Sequence, residues 1–251
     1  CLLADRGVVT AYAAVVFDER FRPLFRLPLA GSPSRVRVSA DGRLAAVTVF
    51  VQGHSYSSPH FSTRTSVIDL ASGEYRIADL EQLAVADGDR LLDAVDRNFW
   101  GVTFAGDSDR FYATVATGGR TLLIDGTVSG RRATTIGADG ECPSLSPDAT
   151  RLAFKRRVAE GPRPVHWRLA VLNLATRERV DLAEARSVDD QVQWLDETRV
   201  LYSLPRAASV SAEMDTWVVG ADGKGTPELL LPAAASAVVV ARAAAAPVDV
   251  R

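Results

Sequence analysis

Four segments with one shared pattern constrain this chain more than any other feature. They read SRVRVSADGRLAAVTVF from Ser34, FWGVTFAGDSDRFYATVA from Phe99, CPSLSPDATRLAFKRRV from Cys142 and DQVQWLDETRVLYSLP from Asp190. Each joins a short apolar run, a tight turn rich in Asp, Gly, Ser or Pro, and a second run opened by Arg, which is how a β-hairpin reads. Behind each comes a second pair of runs: TSVIDLASGEYRIADL, RTLLIDGTVSGRRATTI, WRLAVLNLATRERVDL and DTWVVGADGKGTPELLL. Their turn positions, Asp69, Asp125, Asn173 and Gly220, lie 56, 48 and 47 residues apart, close to the ~40–50 residues of four-stranded propeller repeats. A unit of two hairpins cannot bury both faces of its sheet, and radial stacking of such units can. The period therefore predicts an all-β chain folded as a β-propeller of four-stranded blades.

The two ends complete that reading. The N-terminus supplies a second half without its first, AAVVFDERFRPLFRLPL, whose turn at Asp18 precedes Asp69 by 51 residues, and SAVVV at Ser236 to Val240 stands alone where a new first half would begin. The expectation is one propeller domain over 1–251, closed by a C-terminal strand at Val238 to Val240 joining the blade of Ala14 to Phe17, because closure removes exposed sheet edges. Its blades run over 1–31 plus 233–242, 32–83, 98–138, 139–186 and 187–232. Five blades follow, or six if upstream sequence adds one. Residues 84–97 form an inter-blade insertion, and Leu83, Leu91, Leu92 and Val95, at roughly helical spacing, predict a short helix between Leu80 and Arg97.

The hairpin turns carry a family likeness. Ser146, Pro147, Asp148 and Arg151, and Ser39, Asp41, Gly42 and Arg43, with LAF or LAAV behind them and VLNLATRE or VIDLASGE following, resemble the TolB-like propeller repeat, a WD-like unit. The turns at Asp107 and Asp196 depart from that pattern. The resemblance implies a propeller in an extracytoplasmic bacterial setting, commonly a protein-binding scaffold, with no catalysis in the propeller. It carries no catalytic residues.

Composition narrows the function classes. Lys and Arg number 29 against 31 Asp and Glu, so a net charge of −2 offers no general attraction for nucleic acid or an anionic membrane surface. No apolar run is long enough for a membrane-spanning helix; Ala233 to Val240 is about half the needed length. Cys1 in place of a methionine, running into apolar residues, reads as a mature product or an excised domain. The localisation that the resemblance implies is extracytoplasmic: periplasmic, secreted, or membrane-anchored through upstream sequence. With only Cys1 and Cys142 there is no disulfide framework and no four-Cys zinc site; two independent thiols are expected ahead of a Cys1–Cys142 bridge.

No enzyme signature stands out. Gly53, His54, Ser55, Tyr56, Ser57 lacks the closing glycine of a nucleophile elbow, and Gly223, Lys224, Gly225 lacks the spacing of a phosphate-binding loop. Asp107, Ser108, Asp109 tempts a calcium reading, but Asp in such turns accepts hydrogen bonds from its own backbone. The histidines, His54, His60 and His166, fall in or beside loops joining second to third strands, without a zinc ligand set. Phe99, Trp100 and Trp194 open first strands and are expected between blades. The expected chain is a monomeric non-enzyme without cofactor or metal, holding another protein or an envelope component on its long-loop rim. The candidate rim residues are His54, Tyr56, His60, Arg64, Asp93, Asp96, His166, Asp189 and Asp190. The alternative is the gating propeller of a larger prolyl-oligopeptidase-like serine peptidase.

Overall fold

The computed structural model describes residues 1–52, 61–158, 166–206 and 213–239. Strands take up 59% of them, far above the ~20–25% of an average domain, and no helix among them is long and apolar enough to cross a membrane. The strands form five sheets. The first holds β1 (Leu2–Arg6), β2 (Thr10–Phe17) and β3 (Pro23–Leu29), and the second β4 (Ser32–Val38), β5 (Leu44–Gln52), β6 (Ser62–Asp69) and β7 (Tyr75–Ile77). After a 3₁₀ turn at Leu80–Gln82 come β8 (Ala84–Asp87) and β9 (Arg90–Leu91). They precede the third sheet, β10 (Asn98–Phe104), β11 (Arg110–Thr117), β12 (Arg120–Thr127) and β13 (Arg132–Asp139). The fourth is β14 (Glu141–Leu145), β15 (Arg151–Val158), β16 (His166–Asn173) and β17 (Arg179–Asp181), and the fifth β18 (Gln193–Trp194), β19 (Arg199–Pro205), β20 (Met214–Gly220) and β21 (Glu228–Leu231).

These are the blades of a five-bladed propeller. Their first strands line the axis: β10 packs against both β4 and β14, and β14 against β18. Apolar residues fill the wedges between blades. Leu44, Val67 and Ile77 meet Phe99, Phe111 and Ile124 between the second and third. Leu123 meets Phe154 and Leu172 between the third and fourth, and Leu169 and Val171 meet Trp194, Tyr202 and Val219 between the fourth and fifth. Phe99, Trp100 and Trp194 are buried there, as the strand pattern anticipates, and the Trp194 indole donates to the Ser144 carbonyl at 2.8 Å.

Two expectations change. The segment predicted as a helix is a hairpin: β8 pairs with β9 and lies parallel to β13, extending the third sheet to six strands. Leu83 and Val85 are buried while Leu91 and Val95 are exposed, so the leucine spacing does not mark one buried face. At the N-terminus, β1 pairs with β2 from Leu2↔Ala14 to Arg6↔Thr10 and supplies a strand that the half-repeat was read as lacking. The first sheet is thus three-stranded. Val238 and Val239 belong to no strand and Val240 lies outside the described residues. Ser236, Ala237 and Val238 nevertheless line one cavity with Leu2.

The Asp-rich turns hold themselves together. Asp148 accepts from the Thr150 amide at 3.0 Å and the Ser146 hydroxyl at 2.6 Å; Asp41 and Asp196 accept from Arg43 and Thr198 amides in the same way. Neighbouring turns also bond, Ser108 Oγ to Asp41 at 2.5 Å and the Asp148 amide to Glu197 at 3.3 Å, and the Leu145 amide at the end of β14 donates to Thr103 Oγ1 near the end of β10 at 3.2 Å, so all four first turns sit on one rim. Asp148→Ala is expected to cost about 1 kcal/mol, as removal of a cap-like acceptor does, read as a fall in Tm of about 2–4 °C. An unchanged melting curve would show that the turn needs no side-chain acceptor.

Candidate functional site

The opposite rim carries the ends of the second strands, the starts of the third strands and the connections between blades. Its best-defined part is a charged and aromatic cluster at the junction of the fourth and fifth blades. Glu141 opens β14 and Lys155 lies opposite it on β15. Both side chains are fully buried, with Lys155 Nζ 4.0 Å from Glu141. Lys155 also pairs with Asp189, from the loop that precedes β18. Arg157, two residues further along β15, lies 3.4 Å from Glu141. Trp167 pairs across the strands with Arg157, and both cations lie against its indole, Lys155 at 4.3 Å and Arg157 at 4.9 Å from the ring centroid.

The sequence builds this cluster because β15 changes character along its length. LAF packs inward near the turn, and KRR follows where the strand reaches the rim. A β-bulge between Glu141 and Ser144, with Cys142 in the left-handed region at φ 54°, breaks the alternation that would otherwise govern which way Glu141 faces. Burial lifts the Glu141 carboxyl above the ordinary carboxylate range; Lys155 and then Arg157 pull it back without cancelling the rise. Lys155 and Trp167 form the buried floor, while Arg157 and Asp189 remain half exposed, at 49% and 50%. The result is a positive and a negative group presented side by side on a fixed base.

Of the rim residues named from sequence, Asp189 and Asp190 belong to this region. Asp190 accepts from the Gln191 and Ser203 amides, both at 2.8 Å. His166 opens β16 beside Trp167, half-buried, and its Nε2 makes no hydrogen bond among the described residues. Arg64 lies on the second blade, 3.4 Å from Asp79. Asp96 ties the third blade's rim turn, accepting from Thr117 Oγ1 at 2.7 Å and the Gly118 amide at 2.8 Å. Asp93 is exposed in the segment before β10. His54, Tyr56 and His60 lie outside the described residues. Sequence reasoning missed Glu141, Lys155, Arg157 and Trp167; the signal was KRR, three consecutive charges in a strand whose register predicts apolar residues.

The remaining candidates have structural occupations. Asp107 accepts from the Asp109 and Arg110 amides, and Asp109 from both the amide and the hydroxyl of Ser129. Among the described residues no group of three or more His, Cys, Asp or Glu could hold a metal ion. Cys142 is buried and Cys1 exposed, as two separate thiols.

No family model matches the sequence, and no curated protein does. Solved structures do match. TolB from Acinetobacter baumannii superposes with a TM-score of 0.58 at 13% identity, over 88% of this chain and 49% of that one. The chain seen in a nidogen/laminin complex gives 0.55 at 9% identity, over 94% and 80%. A puromycin-hydrolysing peptidase from Mycobacterium tuberculosis gives 0.51 at 14%, over 90% of this chain and 36% of the peptidase. The fold is a TolB-like β-propeller, and this chain spans about half the length of TolB itself.

Proposed function

We propose that this chain is a non-catalytic, monomeric binding scaffold of a bacterial extracytoplasmic compartment, holding another protein or an envelope component on its long-loop rim. One observation carries the reading: the exposed Arg157 and Asp189 rest on the buried Lys155 and Trp167. Arg and Trp are the side chains that most often dominate protein interfaces. A pre-positioned pair loses little conformational freedom when a partner docks. The charges are local, in a chain with net charge −2, so they suit a partner of complementary pattern. Support for a protein partner comes from the similar fold found in a nidogen/laminin complex, and support for the compartment from the likeness to TolB.

The test is capture of partners from an envelope extract on the immobilised chain, followed by affinity measurement for the captured protein. Arg157→Ala is expected to weaken binding about tenfold, the equivalent of ~1.4 kcal/mol, while Asp148→Ala on the opposite rim leaves it unchanged. The reverse pattern would place the interface on the turn rim. The likeness to the puromycin-hydrolysing peptidase supports a second reading, the gating propeller of a serine peptidase. It requires the complete reading frame to encode an α/β segment with a Gly-x-Ser-x-Gly elbow.

A further inference from the structure

The turn rim holds a polar cavity of its own, at the junction of the second and third blades. Two hairpin turns from each blade meet there. The Leu70 amide donates to the Arg43 carbonyl at 2.8 Å in the second blade, and the Val128 amide to the Asp109 carbonyl at 2.9 Å in the third, so the two turns of each blade stand side by side. Across the junction Ser108 Oγ reaches Asp41 at 2.5 Å, and Arg131 Nη2 donates to the Arg76 carbonyl at 3.1 Å. The turns border a cavity of about 430 Å³, walled by Arg43, Arg76, Arg131, Asp69, Asp107 and Asp109, a size in the range of small-molecule sites. Leu44 and Val128, both buried, add apolar lining.

Three positive and three negative side chains balance in number, but only one pair of them is joined. Arg76 holds Asp69 through Nε at 3.1 Å and Nη2 at 2.6 Å, which keeps the Asp69 carboxyl below the ordinary carboxylate range. Arg131 has a neutral acceptor, the Arg76 carbonyl, as its side-chain partner. Arg43 is 74% exposed and comes no nearer than 4.0 Å to Asp41, which lies outside the lining. Asp107 accepts the Asp109 and Arg110 amides, both at 3.0 Å, while the Arg110 guanidinium is itself bound to Asp125. Asp109 accepts the amide and the hydroxyl of Ser129 at 2.7 and 2.9 Å. These turn bonds fix both carboxylates to the backbone of their own blade, so neither swings across to an arginine. Two cations and two carboxylates face one space without pairing with each other.

We propose that this cavity binds a short peptide as a zwitterion, with the peptide carboxylate on Arg43 and Arg131 and its ammonium on Asp107 and Asp109. A simple anion or cation would meet two like charges along with two opposite ones, whereas a zwitterion sets each end against its opposite. The guanidinium groups suit a carboxylate because their N–H donors match its two oxygens. Leu44 and Val128 offer apolar contact to small side chains. The volume is that of a ligand of several linked groups, which favours a peptide over a single amino acid.

The experiment is calorimetric titration of the whole chain with trialanine, N-acetyl-trialanine, trialanine amide and alanine, all at low ionic strength. Trialanine is expected to bind at least threefold more tightly than each of the other three, the size of effect that a partly exposed charge pair gives. Arg43→Gln changes an exposed side chain with no close partner, so the fold is kept. It should weaken trialanine about threefold and narrow the gap between trialanine and its amide, while the gap to the acetylated peptide stays; Arg131→Gln should act in the same direction. Asp107→Asn retains the oxygen that accepts both amides and should narrow the other gap, to the acetylated peptide, alone. The proposal is overturned if trialanine does not bind, if either blocked peptide or alanine binds as tightly, or if the gap to the amide survives unchanged in both arginine variants.

Discussion

A chain ending at Pro232 is expected to melt about 6–12 °C below the parent, in a broader transition, and to aggregate on heating. Residues 233–239 return from the last blade towards the first. The Ala233 amide donates to Asp215 at 2.8 Å, Thr216 Oγ1 to the Ala234 carbonyl at 2.9 Å, and the Ser236 amide to Ser203 Oγ at 3.1 Å. Beyond those bonds the segment stands beside Leu2, at the inner side of a sheet with one strand fewer than the second, fourth and fifth. Three hydrogen bonds at about 1 kcal/mol each come to about 3 kcal/mol, which corresponds to that range of Tm for a chain of this size. Uncovering of Leu2 and Val36, which line one cavity with Val238, accounts for the aggregation. Calorimetry together with light scattering reads both effects. A truncated chain that stays monomeric and melts within a degree or two of the parent would exclude residues 233–251 as the element that joins the ends of the ring.

Lys155→Met should be the most damaging single change in the rim cluster, costing about 3–5 kcal/mol and roughly 10 °C in Tm. Methionine keeps most of the volume against Trp167 but leaves Glu141 fully buried with only Arg157, at 3.4 Å, as a cation near it. The pH dependence separates charge from packing. Burial already raises Glu141 above its ordinary 4.5, and removal of Lys155 raises it further. An acid whose folded pKa exceeds its unfolded pKa lowers stability above the folded value, and the penalty fades as pH falls towards the unfolded value. The deficit of Lys155→Met is therefore expected to be full at neutral pH and to shrink as pH falls through the folded pKa of Glu141. Adding Glu141→Leu should recover much of the loss, since a buried pair replaced by apolar groups is often neutral. A deficit that is the same at every pH would assign the cost to lost packing on Trp167.

How far the fold was legible depends on how local its causes are. The turns at Asp41, Asp148 and Asp196 announced themselves because each carboxylate bonds amides two residues away, so turn and signal share one short segment. The hairpin β8–β9 did not, because what makes it a strand pair is β13, some 48 residues further along the chain, and the parallel register Arg132↔Ala84 to Thr134↔Ala86. Leu80, Leu83 and Val85 face the core shared by the second and third blades, whereas the spacing of Leu83, Leu91, Leu92 and Val95 alone suits a helix as well as an edge hairpin.

The candidate sites divide along the same line. Repeat period, turn chemistry and the apolar alternation of the strands lie within one hairpin or one blade, so a propeller of about five blades could be read from residue order. Asp189 and Asp190 stand out in that order as an acidic pair between two blades. Their partners do not. Whether Lys155 is a solvated strand-end lysine or a buried cation depends on Asp189 arriving from the next blade, and whether Arg131 faces open water or a charged cavity depends on the turns of two blades meeting on one rim. Burial and charge pairing are set by segments distant in sequence, and only their packing around the axis decides which polar groups lose water and which remain open to a ligand.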